Sequence, residues 1–217
     1  KRQQSIYSPS GLNPDYTGVM GLNNFDDSWG IWGHNLRKVL GDNVDKVYAT
    51  IHGKTDDSQL CFSSEEMYRQ IESYIVDNIG EKGSSRFVIA PDDTPYACTC
   101  ASCTAMGNTE KNATPAVTEL LLRLSQRFPK HSFFTISYLS TKQVTDKQLP
   151  SNAGIIVSAI DFPLRRIDGK NAQEKKFMQQ LNQWKKVSKN IYIWDYINNF
   201  DDYLTCLLYT SPSPRDV

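Results

Sequence analysis

The sequence predicts an α/β fold built on a parallel β-sheet, because short apolar strands alternate along it with amphipathic helices. Several of these strands are followed at once by a polar or acidic residue. An open doubly wound sheet concentrates its site at one switch point, whereas a barrel carries chemistry at most of its strand ends. We therefore predict a partial (β/α)8 barrel of the TIM type, with about five strands present in the 217 residues.

Both ends of the chain resemble non-biological sequence. The tail Cys206–Asp216 resembles the translation of a transposon-type sequencing adapter, and Lys1–Gln3 resembles the same adapter read from the other end. Such scars are set aside before fold reasoning, which leaves a partial barrel domain over residues 4–205 between adapter-derived scars at 1–3 and 206–217. We expect a fragment of a longer protein from metagenomic DNA, with other domains of the same chain as partners.

The charge of the chain is close to balanced, with 24 basic and 24 acidic residues. The scars hold three of the basic residues and one of the acidic ones, which leaves 21 and 23 and a net charge of −2. A general nucleic-acid-binding protein would carry a basic excess, so the balanced charge argues against this class. No apolar run is long enough to span a bilayer.

The N-terminal region is predicted to be loop followed by a short helix. Residues 4–28 are rich in Gly, Asn, Asp and Pro, which favour turns. Leu36, Val39 and Leu40 then indicate a short helix that Gly41 closes.

A strand over residues 47–51 and a polar loop lead to the helix with the clearest signals in the chain. Ser63 and Glu66 fit a capping box, and Gly80 is typical of a helix stop. The apolar stripe between them is Met67, Ile71, Ile75 and Ile79.

The next strand, Phe87–Ala90, ends abruptly at Pro91. Beyond the loop that follows, Thr114–Pro115 starts a helix with proline in its first turn, and Pro129 ends that helix. The remaining predicted elements are strands at 133–139 and 155–160, a helix over about 172–187 and a strand at 191–194. The connection between the first two of these strands is polar and short for a crossover helix.

Five motifs in this order resemble the bacterial family called domain of unknown function number 4838: WGIWGHNL, QLC at 59–61, PDD at 91–93, C-x-C-x-x-C, and YIWDY at 192–196. The resemblance covers about Trp29 to Leu204. That family is similar to the barrels of α-glucuronidases and β-hexosaminidases, so the resemblance implies a glycoside-hydrolase-like barrel in a secreted, periplasmic or cell-surface protein that takes part in polysaccharide degradation. The family pattern has a proline, any residue and then one acid, and that acid corresponds to Asp93. Asp92 is therefore an additional acid here.

Strand-end carboxylates are the candidate catalytic groups. Glycoside hydrolysis needs one protonated and one ionised acid, about 5 Å apart for retention and roughly 6.5–9.5 Å apart for inversion. We expect Asp93 and Asp195 to form this pair, with Asp161 in reserve and no catalytic cofactor. The alternative is structural, since an Asp at a strand end often caps a helix or forms a turn.

Cys61, Cys98, Cys100 and Cys103 are the candidate metal ligands, because Cys206 belongs to the predicted scar. Four thiolates form a closed tetrahedral Zn site, which stabilises a fold and leaves no position for a catalytic water. Disulfides, which a secreted location favours, and free buried thiols are the alternatives. The short spacings of the last three disfavour a bridge among them, because tight loops fit disulfide geometry poorly.

Aromatic and polar side chains beside these acids suit a carbohydrate ligand, because sugars present flat apolar faces rimmed by hydroxyl groups. Ordinary core packing is the alternative for each aromatic ring. The candidate substrate-binding residues are Trp32, His34, Asn35, Asp92, Tyr138, Trp194 and Tyr196.

We therefore expect a glycoside-hydrolase-like domain that acts on a complex polysaccharide or glycan. The alternative is a non-catalytic carbohydrate-binding or structural domain of a bacterial surface protein. The residues leave the choice between enzyme and binding domain open.

Overall fold

The computed structural model describes residues 29–41, 44–162 and 171–195, and its architecture is mixed α/β. The strands are β1 (Tyr48–Ile51), β2 (Lys54–Leu60), β3 (Arg86–Val88), β4 (Ser132–Ser137), β5 (Ala153–Ser158) and β6 (Asn190–Trp194). The α-helices are α1 (Glu65–Asn78), α2 (Ala101–Ala105), α3 (Thr114–Arg127) and α4 (Ala172–Val187). Short 3-10 helices lie at Leu36–Val39, Val44–Lys46 and Leu139–Thr141.

The main sheet contains four parallel strands in the order β3-β4-β5-β6, which is also their order in the sequence. Phe87 lies opposite Phe133, and Val157 lies opposite Ile193. Crossovers through α3 and α4 join β3 to β4 and β5 to β6. Between β4 and β5 the chain makes only a 3-10 turn at Leu139–Thr141, as its short polar connection predicted.

The helices α1, α3 and α4 pack on one face of this sheet. Phe133 lies in the core that α1 and α3 build. Ser137, four residues further along β4 and so on the same face, accepts a hydrogen bond of 2.9 Å from the Trp184 indole of α4. Ile155 and Val157 also pack against α4. Among the described residues the three long helices thus lie on one face, whereas a doubly wound sheet carries helices on both faces.

The opposite face of the sheet is concave and lined with apolar side chains. Val88, Phe134, Ile136 and Ile156 form a cluster there with Trp29, and Trp32, Tyr138 and Trp194 pack against it. Ile31 bridges to Phe87, which adds a short parallel segment outside β3. That segment and β6 lie at opposite edges, four strand spacings or about 19 Å apart in a flat sheet. The rings of Trp32 and Trp194 nevertheless stack at 5.1 Å, so the sheet curls.

The described residues contain no closed barrel, and one predicted strand belongs elsewhere. The strand predicted at 47–51 does not join the parallel sheet. It pairs antiparallel with β2, where the sequence analysis predicted a polar loop. The polar, largely exposed strand β2 lacks the apolar alternation that identifies strands. The signal that was missed is the turn between them: His52 and Gly53 have φ of 49° and 75°, as a two-residue hairpin turn requires.

The three long helices are confirmed within a few residues, with one correction at the start of α1. The helix N-cap is Ser64, whose hydroxyl accepts a hydrogen bond of 3.2 Å from the Met67 amide, whereas the capping box was predicted at Ser63. The helix predicted before Gly41 is the 3-10 turn Leu36–Val39.

No helix in the described ranges is long and apolar enough to cross a membrane. The predicted loop at 4–28, the two adapter-derived ends and Tyr196 lie outside the described residues.

Candidate metal centre and strand-end site

The end of β2 and the loop after β3 bring four cysteines into one cluster. The sulfur atoms of Cys61, Cys98, Cys100 and Cys103 all lie within 4.8 Å of one another. Cys61 Sγ is 3.7 Å from Cys100 Sγ and 3.8 Å from Cys103 Sγ. All four are free thiols, and all but Cys100 are buried. These are the four cysteines that the sequence analysis predicted to come together.

Backbone amides orient the sulfur atoms from several directions. Cys100 is the N-cap of α2, and its sulfur accepts from the Cys103 amide at 3.5 Å, as the C-x-x-C spacing allows. Cys98 Sγ accepts from the Thr50 amide of β1 at 3.2 Å. The Cys61 amide in turn donates to the Val47 carbonyl at 2.8 Å, just before β1. The amides of Cys103 and Thr50, which donate to sulfur, stabilise thiolates, the form in which cysteine binds metals.

Two of the distances between the sulfur atoms fit a tetrahedral metal ion. With Zn–S bonds of about 2.3 Å, the sulfur atoms of a tetrahedral site are about 3.8 Å apart. The two distances from Cys61, 3.7 and 3.8 Å, match this edge. A disulfide has an S–S length of about 2.05 Å. The cluster can therefore hold a metal ion with four soft ligands, and such a closed set leaves no open coordination position.

The protons in the cluster are shared unequally. Hydrogen bonds from the thiols of Cys103 and Cys61 lower the pKa of Cys98 to about 2, helped by the backbone amides of Thr50 and Cys100. The hydrogen bond between Cys61 and Cys103 acts to lower the pKa of Cys61, but the bond to Cys98 and burial outweigh it and raise that pKa to about 12. Hydrogen bonds to Cys61 and Cys98, with burial, also raise the pKa of Cys103. The cluster therefore favours the thiolate form at Cys98, the form in which cysteine binds a metal ion.

Ser63 contacts this cluster, and the sequence analysis missed it because it assigned the residue to the helix cap. Its hydroxyl lies 3.3 Å from Cys61 Sγ and 3.5 Å from Cys100 Sγ, and it accepts from the Cys103 thiol at 3.1 Å. Ser63 directly precedes the N-cap Ser64, which leaves its own side chain available to face the sulfur atoms.

A second group of candidate residues lies at the C-terminal edge of the parallel sheet. His34 donates from Nδ1 to the Pro91 carbonyl at 2.5 Å, and its ring centroid is 6.0 Å from that of Tyr138. The Asn35 side chain donates to the Trp32 carbonyl at 2.8 Å. This hydrogen bond fixes the loop that carries the rings of Trp32 and His34. The structure therefore brings Trp32, Trp194, His34 and Tyr138 to one edge, as half-buried side chains.

The three candidate catalytic acids follow β3, β5 and β6, so they lie at this same edge, and all three are exposed. Asp161 forms an ion pair with Lys142 at 2.5 Å. Asp92 is the more enclosed acid of the PDD motif. Its carboxylate is 2.7 Å from the Arg37 guanidinium, with 16% of the side chain exposed. No local sequence pattern pointed to Arg37 as its partner, because 55 residues separate them.

Two cavities in the described part of the chain lie away from this edge. One, of about 280 Å³, lies between α1 and α3 and is lined by Ser63, Tyr68 and Arg123 among others. The other, of about 360 Å³, lies beside Gly41 and α1.

Comparison with known proteins gives one family. A family model described as domain of unknown function (DUF4838) matches residues 36–209. No curated protein and no solved structure matches the chain.

Proposed function

The chain belongs to the DUF4838 family, and from this premise we propose that it forms part of a glycoside-hydrolase-like (β/α) barrel whose strand-end edge binds a carbohydrate. The observation that carries the proposal is the sheet itself. Its four strands are all parallel and in sequence order, and aromatic and acidic side chains follow the strands at one edge. In barrel enzymes this edge is where substrates bind.

The packing of the sheet supports the proposal that it forms part of the wall of a barrel. The long helices that the structure describes cover one face, and the other face is concave and apolar, as the filled interior of a barrel is. Phe134 and Ile156 lie on that face. Parallel sheets are buried on both faces, which the aromatic side chains of Trp29 and Trp32 achieve here from the segment beside β3.

Carbohydrate binding is supported by the half-buried rings of Trp32, Tyr138 and Trp194 beside His34. Stacked aromatic rings offer apolar faces to a sugar, and nearby polar groups bind its hydroxyl groups. Binding of a polysaccharide panel, measured by affinity electrophoresis and calorimetry, tests this function. We expect Trp194→Ala to weaken binding at least tenfold and Met178→Ala, an exposed change on α4, to leave it unchanged. Equal affinity of the Trp194 variant and the parent chain contradicts the proposal.

Hydrolysis is the second candidate, because Asp93, Asp161 and Asp195 follow three strands at the same edge. In this mechanism Asp93 is the acid/base or substrate-orienting group and Asp195 its partner. Product release from a bound glycan should be lost in Asp93→Asn and Asp195→Asn and retained in Asp77→Asn on α1. A glycan that binds without any release leaves the non-catalytic carbohydrate-binding domain as the function.

A structural zinc ion at the four cysteines completes the proposal. The tetrahedral sulfur spacing and the amide donors support zinc, and a closed site gives it a role in stability. Metal analysis of protein purified under reducing conditions should give one zinc per chain. Absence of metal, with thiols that react only after a reductant is added, would show disulfides instead. The family resemblance further supports a secreted, periplasmic or cell-surface location, which fractionation of expressing cells tests.

A further inference from the structure

We infer that Gln59 is a positioning residue that couples the metal centre to the strand-end acid Asp92. The inference rests on the proposed metal site and extends it. The residues QLC at 59–61 contact both halves of the loop 91–103. Gln59 contacts the first half, which carries the acids, and Cys61 contacts the second half, which carries the other three cysteines.

The Gln59 side chain is 1% exposed and uses its whole amide group. Its oxygen accepts from the Leu60 amide at 2.9 Å and from the Asp92 amide at 3.0 Å. Its nitrogen lies within hydrogen-bonding distance of three oxygen atoms: the Asp92 carbonyl at 3.4 Å, Thr94 Oγ1 at 3.3 Å and the Tyr96 carbonyl at 3.2 Å. A buried amide is costly unless its hydrogen bonds are made, so Gln59 holds residues 92–96 against β2.

The second half of the loop is held by the same hairpin and by the cluster. The Thr99 amide donates to the Thr50 carbonyl of β1 at 2.8 Å, and Cys98 Sγ accepts from the Thr50 amide. Cys61 contacts Cys100 and Cys103 directly. A metal ion at the sulfur atoms therefore fixes residues 98–103 to the end of β2, two residues from the Gln59 amide.

The carboxylate of Asp92 is oriented by this arrangement. Its backbone is held by Gln59, and its side chain forms the ion pair with Arg37. Arg37 also donates to the Asp57 carbonyl of β2. The acid is therefore joined to the hairpin at both its backbone and its side chain. We expect a metal ion at the sulfur atoms and the Gln59 amide both to favour the arrangement of loop 91–103 that the structure shows over one in which the loop is released from the hairpin. Coupling of this kind is reciprocal.

The test uses the full 217-residue chain with Co²⁺ as the metal probe. Gln59→Leu removes the amide at similar volume. Gln148→Leu is the matched control, since the exposed Gln148 side chain donates to the Lys186 carbonyl and, within the described residues, forms no hydrogen bond with residues 91–103. Hydrogen exchange is followed in peptides covering 91–96 and, as the internal reference, β4. Co²⁺ affinity is measured from the thiolate-to-metal absorption band.

In the metal-loaded chain we expect Gln59→Leu to speed exchange in 91–96 at least tenfold, to leave β4 unchanged and to weaken Co²⁺ binding about tenfold. Chelation of the metal from the parent chain should speed exchange in 91–96 in the same way. Gln148→Leu should change neither the exchange in 91–96 nor the affinity for Co²⁺.

Three results overturn the inference: unchanged exchange in 91–96, Co²⁺ affinity within twofold of the parent, or loss of protection throughout the chain in both the variant and the metal-free parent. The last would mean that Gln59 and the metal support the whole fold and have no local coupling. Failure of the proposed metal site is distinct, because the parent chain would then show no Co²⁺ absorption band.

Discussion

Trp32 and Trp194 stack with their ring centroids 5.1 Å apart, although they lie at opposite edges of the curled parallel sheet. Trp32 also meets Trp29 edge-on at 4.9 Å. These contacts close the concave face, where the core of a barrel would lie. The aromatic pair is therefore both a candidate sugar platform and a structural contact across the sheet.

This double role predicts a measurable coupling between the two rings. Aromatic pairs contribute about 0.5–1.5 kcal/mol beyond the area that they bury. We expect Trp32→Ala and Trp194→Ala to be non-additive by about 1 kcal/mol in a double-mutant cycle from urea unfolding. Additive effects within about 0.3 kcal/mol would show that the stacking does not stabilise the curled sheet.

Substitution of the two adjacent serines at the start of α1 should affect different quantities, helix stability in one case and metal affinity in the other. Ser64→Ala removes the N-cap and should lower the free energy of unfolding by about 1 kcal/mol while metal affinity is retained. Ser63→Ala removes the hydroxyl beside three sulfur atoms and should weaken Zn²⁺ binding about tenfold, with little loss of helix stability. Thermal unfolding and competitive chelator titration measure the two quantities. A loss of helix stability in Ser63→Ala and of metal affinity in Ser64→Ala would instead indicate Ser63 as the N-cap.

Metal binding should release fewer than four protons, because the low pKa of Cys98 means that it is already a thiolate at neutral pH. Cys61 and Cys103 have raised pKa values, so the metal must displace their protons, and affinity should rise as pH increases from about 6 to 9. Calorimetry in buffers of different ionisation enthalpy counts the protons. Release of four would show that Cys98 is protonated before the metal binds.

An ion pair between α1 and α3 should make a small, pH-dependent contribution to the free energy of unfolding. The Arg123 guanidinium donates to the Glu65 carboxylate at 2.7 Å and lowers the pKa of that acid. The contribution is present above the ordinary pKa of a glutamate and is lost as pH falls through the lowered value. Both side chains are exposed, so Glu65→Gln should cost only about 0.5 kcal/mol at pH 7 and nothing near pH 2. An equal cost at both pH values would contradict the electrostatic origin.

Gly154 should not tolerate a side chain, because β5 and β6 approach closely there. A Cβ at this position would lie 2.4 Å from the Asn190 carbonyl oxygen and 2.5 Å from the Phe134 ring. Gly154→Ala should therefore destabilise the fold by about 2–3 kcal/mol in urea unfolding. Gly41→Ala, where no atom of the described residues lies within 4 Å of the added carbon, should be close to neutral. Similar stabilities would mean that the strands can move apart at little cost.

Local patterns in the sequence were sufficient for several elements. The stripe through Met67, Ile71 and Ile75 predicted α1, and Pro115 marked the first turn of α3, because helix periodicity and capping depend on neighbouring residues. The four cysteines were identified as a set from residue type and spacing. The strand-end acids were found because polar residues followed apolar runs.

Contacts between distant parts of the chain decided the rest. Whether strand 47–51 joined the sheet depended on its pairing with the polar strand β2, which has no apolar period. The role of Gln59 and the partnership of Arg37 with Asp92 required residues more than 30 positions apart to meet. The sequence by itself thus determined the helices, most strands and the four cysteines of the cluster. Only the tertiary structure decided the strand partners, the true helix cap and the contacts of the site, because these depend on pairing and packing that no local pattern encodes.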